Sequence, residues 1–229
     1  MATLIAALQN QFSGNENCIC ITGSGGKTTA MILLAEAYAR ANKRVLLSTT
    51  TKVLYPEDRD YHCDQYFWDT SIFNYDCRQG ERVFYARRGS IKGEAPPLED
   101  LERLKKQYDV VLLEADGARG MDLKLHSERD PVVPDFTTAT LAIVSLSPLG
   151  NRLKDHCYGC DTLDDIIIDE QTYGLLLTHP EGIQKRMKGV RVILFNQAEK
   201  TDPAVVVALK RQFPTHNLFF GSLEYNIII

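Results

Sequence analysis

The chain has 229 residues, with 26 basic and 30 acidic side chains and a formal net charge of -4. Its 44% apolar and 24% charged residues are ordinary globular usage and exclude a disordered tail protein. No dense Lys/Arg run favours a nucleic-acid or anionic-membrane surface, and no apolar run reaches the ~18 residues of a bilayer span. The start at Met1 to Ile5 lacks the basic region of a secretory leader, so a single cytoplasmic domain over 1–229 is expected.

Strand and helix alternate along the chain. Residues 4–12 place Leu4, Ile5, Leu8 and Phe12 on one side of a short helix. The apolar run 18–22 ends in Gly23-Ser24-Gly25-Gly26, and an Ala- and Leu-rich segment from Lys27 to about Ala41 reads as a helix. Residues 44–48 form a second strand, closed by Thr49, Thr50, Thr51 and Lys52. Strand, glycine turn, helix and strand make a βαβ unit with parallel strands. From about 55 to 97 the rhythm breaks into an aromatic-rich insertion of short strands and loops. It reads as an edge extension of the sheet or as a surface for a substrate or partner.

Further on, a helix is expected over 98–107 and a third strand over 108–113, near-continuously apolar as a strand covered on both faces should be. Strands follow at 139–145, 190–195 and 217–221. Helices follow at 162–187, interrupted at His179-Pro180, and at 204–213. The apolar tail 227–229 suits pairing with a sheet edge or with another chain. The fold class is α/β, a mostly parallel sheet flanked by helices, P-loop NTPase-like. Six cysteines form no disulfide framework. Only His156-Cys157 and Cys160 have metal-like spacing, and a single such pair reads as a turn with two incidental thiols rather than a metal or redox centre.

Ile21 to Thr29 carries the chemistry. Glycines at 23, 25 and 26 free the backbone so that several N–H groups can turn inward around phosphate oxygens, with Ser24 among them. The helix that starts at once completes an anion site. Lys27 is positioned to reach the outer phosphates, Thr28 to ligate Mg2+, and Thr29 to extend the cradle. The first glycine of the G-x-x-x-x-G-K-[ST] pattern is replaced by Ile21. Glu114 and Asp116 end the third strand, where a metal or water partner belongs, and their spacing puts both on one side if the strand persists. Thr50 is a further candidate metal contact. Arg119 and Lys124 are candidates to meet developing charge on a phosphoryl group. Asn196 and Glu199 end the fifth strand where many GTP-binding folds carry Asn-Lys-x-Asp. Base contact by this loop is expected, with ATP or GTP as the nucleotide.

Gly23 to Thr29, Ser48 to Lys52 and Leu113 to Arg119 together resemble the YqeC family, as do Leu123-Lys124, Glu128, Pro131 and Pro134. These proteins are described as accessory factors for selenium-dependent molybdenum hydroxylases. The resemblance implies a nucleotide-dependent role in maturing such an enzyme, with the hydroxylase or its maturation proteins as partners. The loop is also similar to that of Mur-type ATP-dependent amide ligases, which implies a ligase or phosphotransferase as an alternative. A nucleotide-loaded switch with little turnover is a third reading.

Overall fold

The computed structural model describes residues 3–14, 17–160 and 166–229. Helix α1 (Leu4–Gln11) starts where the Thr3 hydroxyl accepts from the Ala6 amide, and it buries Leu4, Ile5 and Leu8. Strand β1 (Cys18–Gly23) leads through the glycine loop into α2 (Lys27–Arg40), then β2 (Val45–Thr49). The insertion supplies β3 (Gln65–Phe67) and β4 (Arg82–Tyr85). Next come α3 (Leu98–Leu104), β5 (Val110–Glu114), β6 (Leu123–Lys124) and β7 (Ala139–Ser145). The chain continues through α4 (Leu153–His156), β8 (Cys157–Tyr158), α5 (Glu170–Thr178) and β9 (Val190–Asn196). It ends with α6 (Pro203–Gln212), β10 (Leu218–Ser222) and β11 (Ile227–Ile228).

Nine strands form one sheet in the order β11-β10-β9-β7-β1-β5-β2-β4-β3, and every pairing in it is parallel except β10 with β11. Alternation explains the continuous apolar runs of its central strands. Ile19 and Ile21 of β1 face one hydrophobic layer with Leu112 of β5 and Leu141 of β7. Cys18 and Cys20 face the opposite layer with Val111 and Leu113. Side chains at odd and even positions are thus both buried, so period 2 disappears from the sequence. A third layer under β9 and β10 stacks Phe195 on Phe220 with ring centroids 4.7 Å apart.

The insertion is an edge extension of the main sheet. Strand β4 pairs with β2, and β3 pairs with β4. Its aromatics close over this edge, with Tyr61 stacked on Phe84 at 4.4 Å and Trp68 tilted against it at 5.8 Å. Residues 227–228 pair antiparallel with Gly221 and Ser222 of their own chain.

Two helices are shorter than their sequence patterns suggest. Within the expected 162–187 span, positions 162–165 lie outside the described residues and only Glu170–Thr178 is α-helical. Asp169 and Thr172 form a reciprocal capping box that starts it there. His179 is extended ahead of Pro180, as the proline ring demands, and 183–186 are turns. Helix α3 ends at Leu104 rather than 107. Among the described residues no helix is long and apolar enough to cross a membrane.

Candidate functional site

The glycine loop is pressed onto the end of β7. Gly23 has φ +88°, and a Cβ there would lie 2.1 Å from the Ile143 carbonyl oxygen, so no side chain fits. The Ser24 amide donates to that same carbonyl at 2.9 Å, and the Ser24 hydroxyl donates to the Asp122 carbonyl at 2.8 Å. Gly26, at φ +138°, opens α2 without any side-chain cap, which leaves the first-turn amides available to an anion. A Cβ on Gly26 would sit 2.7 Å from the Asn196 amide nitrogen.

That contact shows what Asn196 does. Its Nδ2 donates to the Gly25 carbonyl at 2.7 Å, and its Oδ1 accepts from the Leu223 amide at 2.9 Å. Both ends of the side chain are used to tie the loop to the segment after β10. Glu199 is half-buried near by in sequence, but neither residue lines the cleft in front of the loop.

A cleft of about 780 Å³ opens at the carboxyl ends of the parallel strands, where ligands of open α/β sheets bind. Gly25, Gly26, Lys27, Thr28 and Thr29 form one wall, with Glu114 and Arg119 beside them. The Thr28 hydroxyl donates to Glu114 Oε2 at 3.1 Å. Register explains this meeting, because Glu114 of β5 lies beside Ile21 of β1 and Thr49 of β2. The Thr49 hydroxyl donates to the Glu114 carbonyl at 3.0 Å and holds that strand end in place.

Asp116 lies behind the loop rather than in the cleft. Strand β5 stops at Glu114, so the period-2 argument ends there, and the Asp116 side chain is fully buried. Its Oδ2 accepts from the Gly23 amide at 3.0 Å and from His126 Nε2 at 2.8 Å. Lys27 Nζ lies 3.3 Å from Oδ1 and Lys124 Nζ 3.4 Å from Oδ2. Lys27 also donates to the Gly23 carbonyl at 2.6 Å. Lys124 is buried too, pairing with Asp130 and donating to the Gly117 carbonyl at 2.5 Å, so it faces Asp116 and not the cleft. Arg119 remains exposed in the cleft, its guanidinium 5.2 Å from the Tyr158 ring centre. Thr50 is turned away, donating its hydroxyl to the Val132 carbonyl at 2.7 Å.

The two carboxyls titrate in opposite directions. Burial pushes Asp116 up, but Lys27, the His126 hydrogen bond and Lys124 outweigh it and hold the group at about 2. At Glu114 burial wins over Lys27 and the Thr28 hydroxyl, helped by the negative charge of Asp116, and its pKa is raised.

Among the described residues, no group of three or more His, Cys, Asp or Glu could hold a metal ion unaided. One hydroxyl and one carboxylate, Thr28 and Glu114, do suit Mg2+ that arrives with phosphates and waters, its usual set. Cys157 and Cys160 are joined by a disulfide, correcting the reading of two incidental thiols, while the other four cysteines are free.

His126 and the cleft-lining Arg59 and Lys92 carry no motif in the sequence, and the bracing role of Asn196 is not visible in its strand-end position. Only Lys124 two residues before His126, in the segment after the acidic pair, points toward the buried cluster.

Comparison with known proteins agrees with the motifs. The family described as "YqeC protein" matches residues 19–161. A protein of Escherichia coli (strain K12), "Uncharacterized protein YqeC", is 29% identical over 193 residues, covering 77% of this chain and 74% of that protein. With the match spanning β1, the glycine loop, Glu114 and the buried Asp116 cluster, the chain belongs to the YqeC family.

Proposed function

We propose that this chain binds a nucleoside triphosphate with Mg2+ in the cleft, hydrolyses it, and works in the cytoplasm as an accessory factor in maturing a selenium-dependent molybdenum hydroxylase. The observation that carries the nucleotide reading is the convergence of Lys27, Thr28 and Glu114 on one cleft, at an uncapped helix start. The maturation role has its support in the family resemblance.

In this reading the loop amides and the first turn of α2 bind the phosphates, and Lys27 exchanges its Gly23 contact for a phosphate oxygen. Thr28 and Glu114 would hold Mg2+, which when bound neutralises charge on the outer phosphates. Arg119 stands at the cleft to meet charge that develops on the transferring group. Asp116 acts behind the loop, holding Lys27 and the Gly23 amide in register. Catalysis is then mostly positioning and charge stabilisation. With Asn196 engaged by the loop, base contact falls to Glu199 or to neighbouring backbone, and the choice of ATP or GTP is open to measurement.

Titration with Mg-ATP and Mg-GTP on wild type, Lys27→Ala and Thr28→Val tests the proposal. Binding of one nucleotide, weakened at least tenfold in Lys27→Ala and made Mg-independent in Thr28→Val, is expected. Absence of binding by folded wild type would overturn it. Slow hydrolysis accompanied by ligand-dependent structural change would favour the switch reading over the NTPase.

A further inference from the structure

We propose that the cleft seats a second ligand beside the nucleotide: a small molecule with a phosphate or carboxylate group, held by Lys52, Arg59 and Lys92. This rests on the nucleotide reading of the opposite wall and names the substrate class that goes with it.

The argument begins with charge. The protein carries a net charge of -4, yet the cleft lining holds Lys27, Lys52, Arg59, Lys92 and Arg119 against Glu114 and Asp122. Asp122 is already engaged, its Oδ2 2.7 Å from His156 Nδ1. Lys27 has Asp116. Lys52 has only a 4.0 Å approach to Glu94, with both side chains largely exposed, a pairing of little strength. Among the described residues neither Arg59 nor Lys92 has a carboxylate within ion-pair distance. Three cations thus share one wall with almost no anion of the protein's own. Low-dielectric walls of one sign of charge concentrate ligands of the other.

The wall is built rather than loose. Tyr61, two residues from Arg59 in sequence and 2% exposed, stacks on Phe84 and donates its hydroxyl to the Leu54 carbonyl at 3.0 Å. The Val53 amide donates to the Gly93 carbonyl at 2.9 Å, which holds the Lys92 turn against the segment after β2. The Tyr55 hydroxyl reaches the Gly89 carbonyl at 2.7 Å. Arg59 and Glu114 line the same cleft, so the wall and the phosphate end share one cavity.

Sheet order then separates the two ligands. Strand β1, carrying the loop, lies between β7 and β5. Asn196 ends β9 and Glu199 follows it, on the β7 side, whereas Lys52, Arg59 and Lys92 belong to segments around β2 and β4, on the β5 side. A nucleotide running from Lys27 toward the β9 loop leaves the cationic wall beyond its outer phosphate. The volume of about 780 Å³ is in the upper part of the ~300–1,000 Å³ usual for small-molecule sites.

The test uses the double variant Arg59→Ala/Lys92→Ala. Both side chains are exposed, and circular dichroism checks that the variant folds as wild type. Wild type saturated with a non-hydrolysable Mg-nucleoside triphosphate is titrated calorimetrically with inorganic phosphate and, separately, with succinate. At least one probe is expected to bind the loaded protein and to lose tenfold or more in the double variant, with nucleotide affinity altered less than twofold. Which probe binds names the group. A tenfold loss of nucleotide affinity in the variant would overturn the proposal, since the wall would then serve the nucleotide itself. Failure of both probes on loaded wild type would also overturn it. If no nucleotide binds at all, the nucleotide reading fails by itself. The probes are then titrated into the free protein, where binding that depends on Arg59 and Lys92 upholds the anionic site and its absence overturns it.

Discussion

The two walls of the cleft solve the problem of charge in opposite ways. Behind the inner wall, beneath the glycine loop, the buried ionised groups find their partners within the protein. Asp116 meets Lys27, Lys124, His126 and the Gly23 amide, and its neighbours are themselves nearly buried. On the outer wall Arg59 and Lys92 stand exposed in solvent. Buried charge is tolerated only when paired and hydrogen-bonded, whereas exposed charge needs no partner to fold. The inner wall is therefore part of the folding problem, and the outer wall is free to be shaped by what it binds.

Substitutions should expose that difference in order of size. Asp116→Ala leaves Lys27, Lys124 and His126 facing each other in the interior, and a loss of about 3–5 kcal/mol is expected in urea unfolding. A loss under about 1 kcal/mol, the size of an exposed pair, would mean the cluster is solvated and the contrast between the walls is false.

Acid should act on the same group. Asp116 titrates at about 2 in the fold, against an unfolded value near 3.9. Its contribution is therefore complete above about pH 4 and is lost as pH falls through 2, in total about 2–3 kcal/mol. Glu114 runs the other way: with its pKa raised by burial, its contribution is present below its unfolded value of about 4.3 and is lost as pH rises through the folded one. Urea midpoints between pH 2 and 5 on wild type and Asp116→Asn should show the Asp116 slope in wild type alone.

Asn196→Ala breaks the brace between Gly25 and Leu223 and is expected to destabilise by about 1–3 kcal/mol, because two hydrogen bonds disappear. Nucleotide binding should weaken with it, read from the same titrations, since the loop loses its tie. Binding lost with stability intact would return Asn196 to direct nucleotide contact. Smallest of all, Arg59→Ala should change the unfolding free energy by less than about 0.5 kcal/mol, as for other exposed side chains. A large change would put Arg59 in the fold and not in the ligand site.

Much of the fold and part of the site are legible in the amino-acid order. Gly23 to Thr28, with an apolar strand ahead and a helix after, announces the loop because local backbone chemistry dictates it. The apolar runs of β1, β5, β7 and β9 announce a sheet buried on both faces. Asp116 is legible as a residue that matters but not in its place, because counting by twos assumes a strand that in fact ends at Glu114. Asn196 reads as a base contact, though its side chain is spent on a loop 171 residues away. The extent of α5 is hidden by the competition between an apolar pattern over 162–187 and the signals at Asp169 and Pro180 that bound it.

What the amino-acid order determined by itself is whatever depends on neighbours within one turn or one strand: the glycine loop, the helix that follows it, the α/β alternation and the motifs of the YqeC family. Only the tertiary structure decided which charges are buried together and which line an open wall. Burial is a property of the whole packing. Asp116, His126, Arg59 and Lys92 acquire their surroundings from strands and loops distant in sequence, and no local pattern of residues encodes the solvent that each of them does or does not see.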